Sequence, residues 1–299
     1  MNNYIRYIIE SFFDDIDDDI TGDVSDIINT IYNETIIQVV SPKNTLTTLI
    51  PSDKIFKDEV IHDIIPDTVS TVKIKGQIII RDSSVRNISV DNYIDDIKIF
   101  KINCDHLENI TLNNIDTSNI KDMSQMFYDC RKLKKLDLNN FDTSNVTNME
   151  SMFEFCKSLT SLKVTNFNTS KVTNMSKMFR DCTKIKKLPL NNFDTSNVTN
   201  MESMFAQMFQ LKSLDLSNFD TSNVTDMFNM FYYCPRLESL DLSRFVVNNT
   251  KAMGMFAGCD ALKYIKCTKS FQNWCRKNQD IIKLPVTMRK GGTGIWDLI

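Results

Sequence analysis

The sequence predicts an α/β solenoid, a right-handed stack of coils with a parallel sheet on one face and short helices on the other. Three observations carry this. Phe141, Phe167, Phe193, Phe219 and Phe245 recur every 26 residues. Each copy joins a stretch of threefold apolar spacing to a stretch of alternating spacing. The framework repeats while a few outward positions change from copy to copy. A unit this small cannot bury its apolar side alone, so copies must stack and cover one another.

In chain order, residues 1–40 are expected to form an acidic helical cap. Ile5, Ile8, Ile9, Phe12, Phe13, Ile16 and Ile20 mark one helix face, and residues 1–35 carry nine acids against one arginine. An acidic docking arm is the functional alternative. Residues 41–103 are expected to be degenerate, β-rich coils, because Val69-x-x-Val72-x-Ile74 and Val85-x-x-Ile88-x-Val90 keep the strand spacing.

Residues 104–268 hold six copies of the unit, the last one residue shorter. In the second copy Val146, Met149, Met152, Phe153, Cys156 and Leu159 have helical spacing. Thr147 before Glu150, and Thr199 before Glu202, have the spacing of a capping box. Leu159-x-x-Leu162-x-Val164 reads as a short strand with alternate side chains inward. The Asn-Phe-Asp-Thr-Ser-Asn run between strand and helix is rich in residues that bond their own backbone and make turns. A strand plus a helical segment per 26 residues is the unit of a leucine-rich-repeat solenoid. Residues 269–299 are expected to form a second cap. A short helix is expected over 270–280, and 281–285 and 294–299 are expected to pair as strands around Arg289-Lys290-Gly291-Gly292.

The consensus N-F-D-T-S-N-V-T-N-M-x-x-M-F-x-x-C-x-x-L-x-x-L-x-L resembles the BspA-type leucine-rich repeat, also described as the mycoplasma lipoprotein-associated repeat. The likeness covers about residues 104–268. It implies a binding role, since such repeats occur in bacterial surface proteins, protists, viruses and phages, where they bind proteins or host surfaces. The tail, Phe271-x-x-Trp274-Cys275 through Gly294-x-Trp296, resembles endings of repeat proteins from gut Bacteroidota and their phages. The first ten residues, with Arg6 and Glu10 breaking the apolar run, do not read as a secretory signal. A cytoplasmic or virion-associated place is therefore expected, with reduced thiols.

Composition narrows the chemistry. The chain has 299 residues, 35 basic and 38 acidic side chains, net −3, and a pI near 5.5, which argues against nucleic acid as the partner. The seven glycines make no phosphate-cradling loop, and two histidines leave little room for a multi-histidine metal site. No apolar run is long enough to span a membrane. Cys104, Cys130, Cys156, Cys182, Cys234 and Cys259 fall on one repeat position, with Met208 filling the gap, and read as a buried thiol ladder. Twelve of the fifteen methionines, two per unit between Met123 and Met255, read as core. The Asp17 run lacks the bidentate glutamate of a calcium loop, with Ile28 at that place. His106 close to Cys104 is the one hint of nucleophilic chemistry. No cofactor or metal is expected.

What remains is the set of positions the stack does not dictate. Lys134, Lys135, Lys163, Lys186, Lys187, Asp215 and Asp241 fall on the strand face. Tyr128, Phe155, Tyr232 and Tyr233 are large rings where other copies have Ala206, Ala257 or Arg180. These are the candidate partner contacts of a non-enzymatic protein-binding scaffold. A structural or assembly component of a phage or virus particle is the alternative, and an uncharacterised enzyme the third reading. The partner's identity is not written in these residues.

Overall fold

The computed structural model describes residues 76–80, 86–90, 97–112, 115–248 and 250–298. The expected acidic helical cap, the Asp17 run and the Val69 strand spacing lie outside the described residues.

Coils stack through two lines of parallel backbone pairing. Along the first line, β2 (Asn87–Val90) pairs with β4 (Asn109–Leu112), and β5 (Lys135–Asp137) pairs with β6 (Ser161–Lys163). Then β7 (Ser213–Asp215), β8 (Ser239–Leu242), β9 (Tyr264–Cys267) and β10 (Ile295–Leu298) form one four-stranded sheet. β1 (Gly76–Ile80) and β3 (Ile97–Ile102) are also parallel neighbours. The burial of β5, β6 and β7 alternates exposed, buried, exposed, as the sequence spacing requires.

The second line corrects the expected helices. Among the described residues the one α-helix is α1 (Lys269–Lys277), and no repeat copy contains one. The segment Met149 to Cys156 is instead a run of tight turns. The amides of Met152, Glu154 and Cys156 bond the carbonyls three residues back, at Met149, Ser151 and Phe153. The intervening amides of Met149, Ser151, Phe153 and Phe155 donate to Asn174, Ser176, Met178 and Arg180 of the next coil. A helix would send every amide four residues back and leave the neighbouring coil without donors. Here half the amides join coils, and the apolar spacing of three that reads as helical is equally the spacing of successive turns.

Such a ribbon needs left-handed backbone at two places per coil. One column holds Gln125, Ser151, Lys177, Ser203, Asn229 and Gly254, with φ between +54° and +69°. The other holds Asp129, Phe155, Asp181, Gln207, Tyr233 and Gly258, between +55° and +75°. The expected capping boxes are absent as such. The amide of Glu150 bonds Asn148 Oδ1 at 3.0 Å, and the hydroxyl of Thr147 donates to the carbonyl of Lys121 in the previous coil.

The interior is made of ladders. Phe127, Phe153, Phe179, Phe205, Phe231 and Phe256 stack with successive centroids 5.6 to 5.9 Å apart. The cysteine column is buried, and the thiols of Cys130, Cys156, Cys182, Cys234 and Cys259 also donate across coils. Cys156 Sγ reaches the carbonyl of Phe127 at 3.1 Å, Cys182 that of Phe153 at 3.2 Å, and Cys234 that of Phe205 at 3.0 Å. Thr117, Thr143, Thr169, Thr195 and Thr221 form a buried hydroxyl column that bonds the following coil.

Two further expectations are corrected. Met253 is 57% exposed, because the shortened copy pairs Asp226 with Lys251 and so brings Ala252, not Met253, into the methionine column. β10 does not pair with 281–285 but lies parallel beside β9, with Trp296 against Ile265. The expected helix over 270–280 is α1, capped by the hydroxyl of Thr268, which accepts from the amide of Phe271 at 3.1 Å.

Candidate interaction surface

The outward positions divide into a charged strand edge and a face of rings. On the edge, Asp137 and Asp241 are matched to cations of the next coil, while Asp215 is bonded by Ser217 of its own coil. Lys163 meets Asp137 at 2.7 Å, Lys266 meets Asp241 at 3.1 Å, and Arg131 meets Asp129 at 2.6 Å. The bond from Lys163 holds the Asp137 carboxyl below the ordinary carboxylate range. Asp215 is lowered chiefly by the bonds it accepts from Ser217. Lys163, Asp215 and Asp241 are thus tied into the stack, whereas Lys134, Lys135, Lys186 and Lys187 are exposed and take part in none of the ion pairs among described residues.

Lys186 and Lys187 do not stand on a strand. Their coil interrupts the sheet between β6 and β7, at the place where Pro189 replaces the Lys163 and Asp215 of its neighbours. Proline has no N–H to give to a ladder. The Leu188-Pro189-Leu190 string was the signal for this break.

The rings fall into two separate groups. Tyr128 and Phe155 meet edge to face at 5.5 Å. Lys157 and Arg180 lie over the Phe155 ring at 5.5 and 5.7 Å, and Arg180 reaches on to the buried Glu154 at 3.2 Å. Burial raises the Glu154 carboxyl despite that cation. Phe155 is therefore half-buried within its own network. Tyr232 and Tyr233 are different, at 37% and 50% exposed, with Phe209 edge-on to Tyr233 at 5.7 Å. Phe209 was not among the sequence candidates. Its signal is a ring where the other copies place Arg131, Lys157, Thr183 and Pro235.

Elsewhere, His106 touches Asp105 at 2.9 Å through Nδ1, and Cys104 is wholly buried. Among the described residues no cluster of His, Cys, Asp and Glu is grouped to hold a metal ion, and no helix is long and apolar enough to cross a membrane.

Parallel strands on stacked coils, broken at Pro189, on a period of 26 residues define a leucine-rich-repeat solenoid, a scaffold presenting rows of outward side chains. The family model described as "Mycoplasma protein of unknown function, DUF285" matches residues 96–187 and 156–274, more than half the chain. The chain belongs to this family, the BspA-type leucine-rich repeats. Among solved structures it is similar to a leucine rich cell surface protein from Faecalibacterium prausnitzii, at 16% identity and TM-score 0.21, covering 80% of this chain and 94% of that one. It is also similar to a leucine-rich repeat protein from Bacteroides ovatus, at 17% identity and TM-score 0.27, covering 79% and 76%. No curated protein matches the chain.

Proposed function

We propose that the chain is a non-enzymatic protein-binding scaffold that holds its partner along the outward rows of the solenoid. The observation that carries this reading is the Tyr232–Tyr233 pair. Both rings stand in solvent at positions that adjacent coils fill with Ala206 and Ala257, or with Gln207 and Gly258. The stack does not need them. A ring fixed on rigid backbone loses little conformational freedom on contact and offers a large apolar area with a polar tip.

The test is capture of the partner protein by two variants and the native chain. Tyr232→Ser with Tyr233→Ser should lose most of the capture while the thermal transition stays in place. Lys134→Glu, Lys135→Glu, Lys186→Glu and Lys187→Glu together test the edge in the same way. Undiminished capture by both variants would remove the reading.

A further inference from the structure

The cations left unpaired on the strand edge are not scattered. Two coils carry the same triad at the same places: Lys132, Lys134 and Lys135 after Cys130, and Lys184, Lys186 and Lys187 after Cys182. The coil between them has Ser158, Thr160 and Ser161 at those positions. All six lysines are exposed, and none takes part in the ion pairs of the described residues.

The acids that would neutralise them are engaged elsewhere. Asp129 holds Arg131, Asp137 holds Lys163, and Asp181 faces Lys157 at 3.8 Å. The later coils differ, since there Glu238 pairs with Lys263 and Asp241 with Lys266, both at 3.1 Å. Uncompensated positive charge on this edge is thus held by the two triads and by Lys212, which stands exposed at the Lys186 place of the next coil.

We infer that the two lysine triads form one site for an extended acidic segment of a partner protein, laid across the serine-bearing coil between them. The inference rests on the binding-scaffold reading and names the chemistry of what binds. Neighbouring strands lie about 4.8 Å apart, so triads two coils apart are separated by about 10 Å. An extended chain advances about 3.3 Å per residue, so three or four residues bridge them. All six cations are lysines on flexible stems, which accept carboxylates in many geometries. Planar two-point recognition of phosphate or sulfate favours arginine. The exposed Tyr232–Tyr233 pair belongs to the turn ribbon and not to this edge, which offers no stacking platform for bases.

The site is tested by fluorescence anisotropy with the full chain and a labelled twelve-residue Glu/Ser peptide at low salt. Binding is expected to weaken as salt rises. Lys134→Gln, Lys135→Gln, Lys186→Gln and Lys187→Gln together should weaken it about tenfold or more. A charge-matched control, Lys98→Gln, Lys277→Gln, Lys283→Gln and Lys290→Gln, should stay within about twofold. No peptide binding, or equal loss in the control, would overturn the site. A sulfated hexasaccharide that binds about tenfold tighter than the peptide, and is lost in the same variant, would overturn the acidic peptide as occupant. If the peptide fails while the Tyr232 and Tyr233 variant still loses its partner, the scaffold reading stands and this site falls.

Discussion

The hydroxyl of Thr169 donates to the carbonyl of Asp194 and accepts from the amide of the same residue, each at 2.8 Å. Thr143 does the same with Asn168, and Thr221 with Val246. One buried hydroxyl therefore satisfies both backbone groups of the coil above it.

Thr169→Val keeps the shape and removes both bonds, leaving a donor and an acceptor without partners. A loss of about 1–3 kcal/mol is expected, read as a lower midpoint in urea unfolding. Thr169→Ser keeps the hydroxyl and should recover most of it.

Acid should unfold the chain through its turn aspartates. Asp142, Asp194 and Asp220 accept the amides of Ser144, Ser196 and Ser222, and those bonds hold their carboxyls below the ordinary range. A depressed folded value means stability that is present above the unfolded value of about 3.9 and is lost as pH falls through the folded one. Glu154 and Asp181, raised chiefly by burial, act oppositely, since protonating them relieves the cost of their charge. Changing all three turn aspartates to Asn should flatten the loss below about pH 4 in chemical unfolding. Asn168 already makes the same turn, accepting from Ser170 at 3.1 Å.

The left-handed columns predict opposite effects at two positions. Gly258 has φ +75°, and a β-carbon there would lie 2.7 Å from Tyr233 Cδ2 and 3.1 Å from Tyr233 Cα. Gly258→Ala should cost about 1–2 kcal/mol or more. Gln207, at φ +61°, carries a side chain in the same conformation. Gln207→Gly relieves that strain at some cost in unfolded-state entropy, so it should be neutral or stabilise by up to about 1 kcal/mol. Thermal unfolding of the two variants decides the sign.

The thiols should be inert while the chain is folded. All eight are buried, and burial pushes Cys156 and Cys182 well above the usual thiol range and Cys267 up to about 12. Thiolate is the reacting form, so iodoacetamide at pH 8 should leave the native chain unmodified and label it fully in denaturant. Rapid labelling of the native chain would contradict the buried column.

Much of this was legible in the residues. The period of 26 located the coils, and the alternation of Leu162 between Ser161 and Lys163 located the strand. Cysteine at a fixed place read correctly as a buried column, but not as a hydrogen-bond donor, because a thiol's partner lies in another coil. The lysines were visible as candidates; that Lys163 is paired and Lys134 is not depends on which acid stacks beside each. Phe209 and the break at Pro189 carried a sequence signal, each being out of place in its own column.

By itself the sequence determined the period, the inward set and hence the stacking, because copies with identical apolar rows bury them best against one another. The tertiary structure decided the path of the chain between strands. A spacing of three fits a helix and a chain of turns alike, and the difference is where the amides of Met149, Ser151, Phe153 and Phe155 find carbonyls. Those carbonyls belong to the next coil. No local pattern contains them, and only stacking brings them within reach.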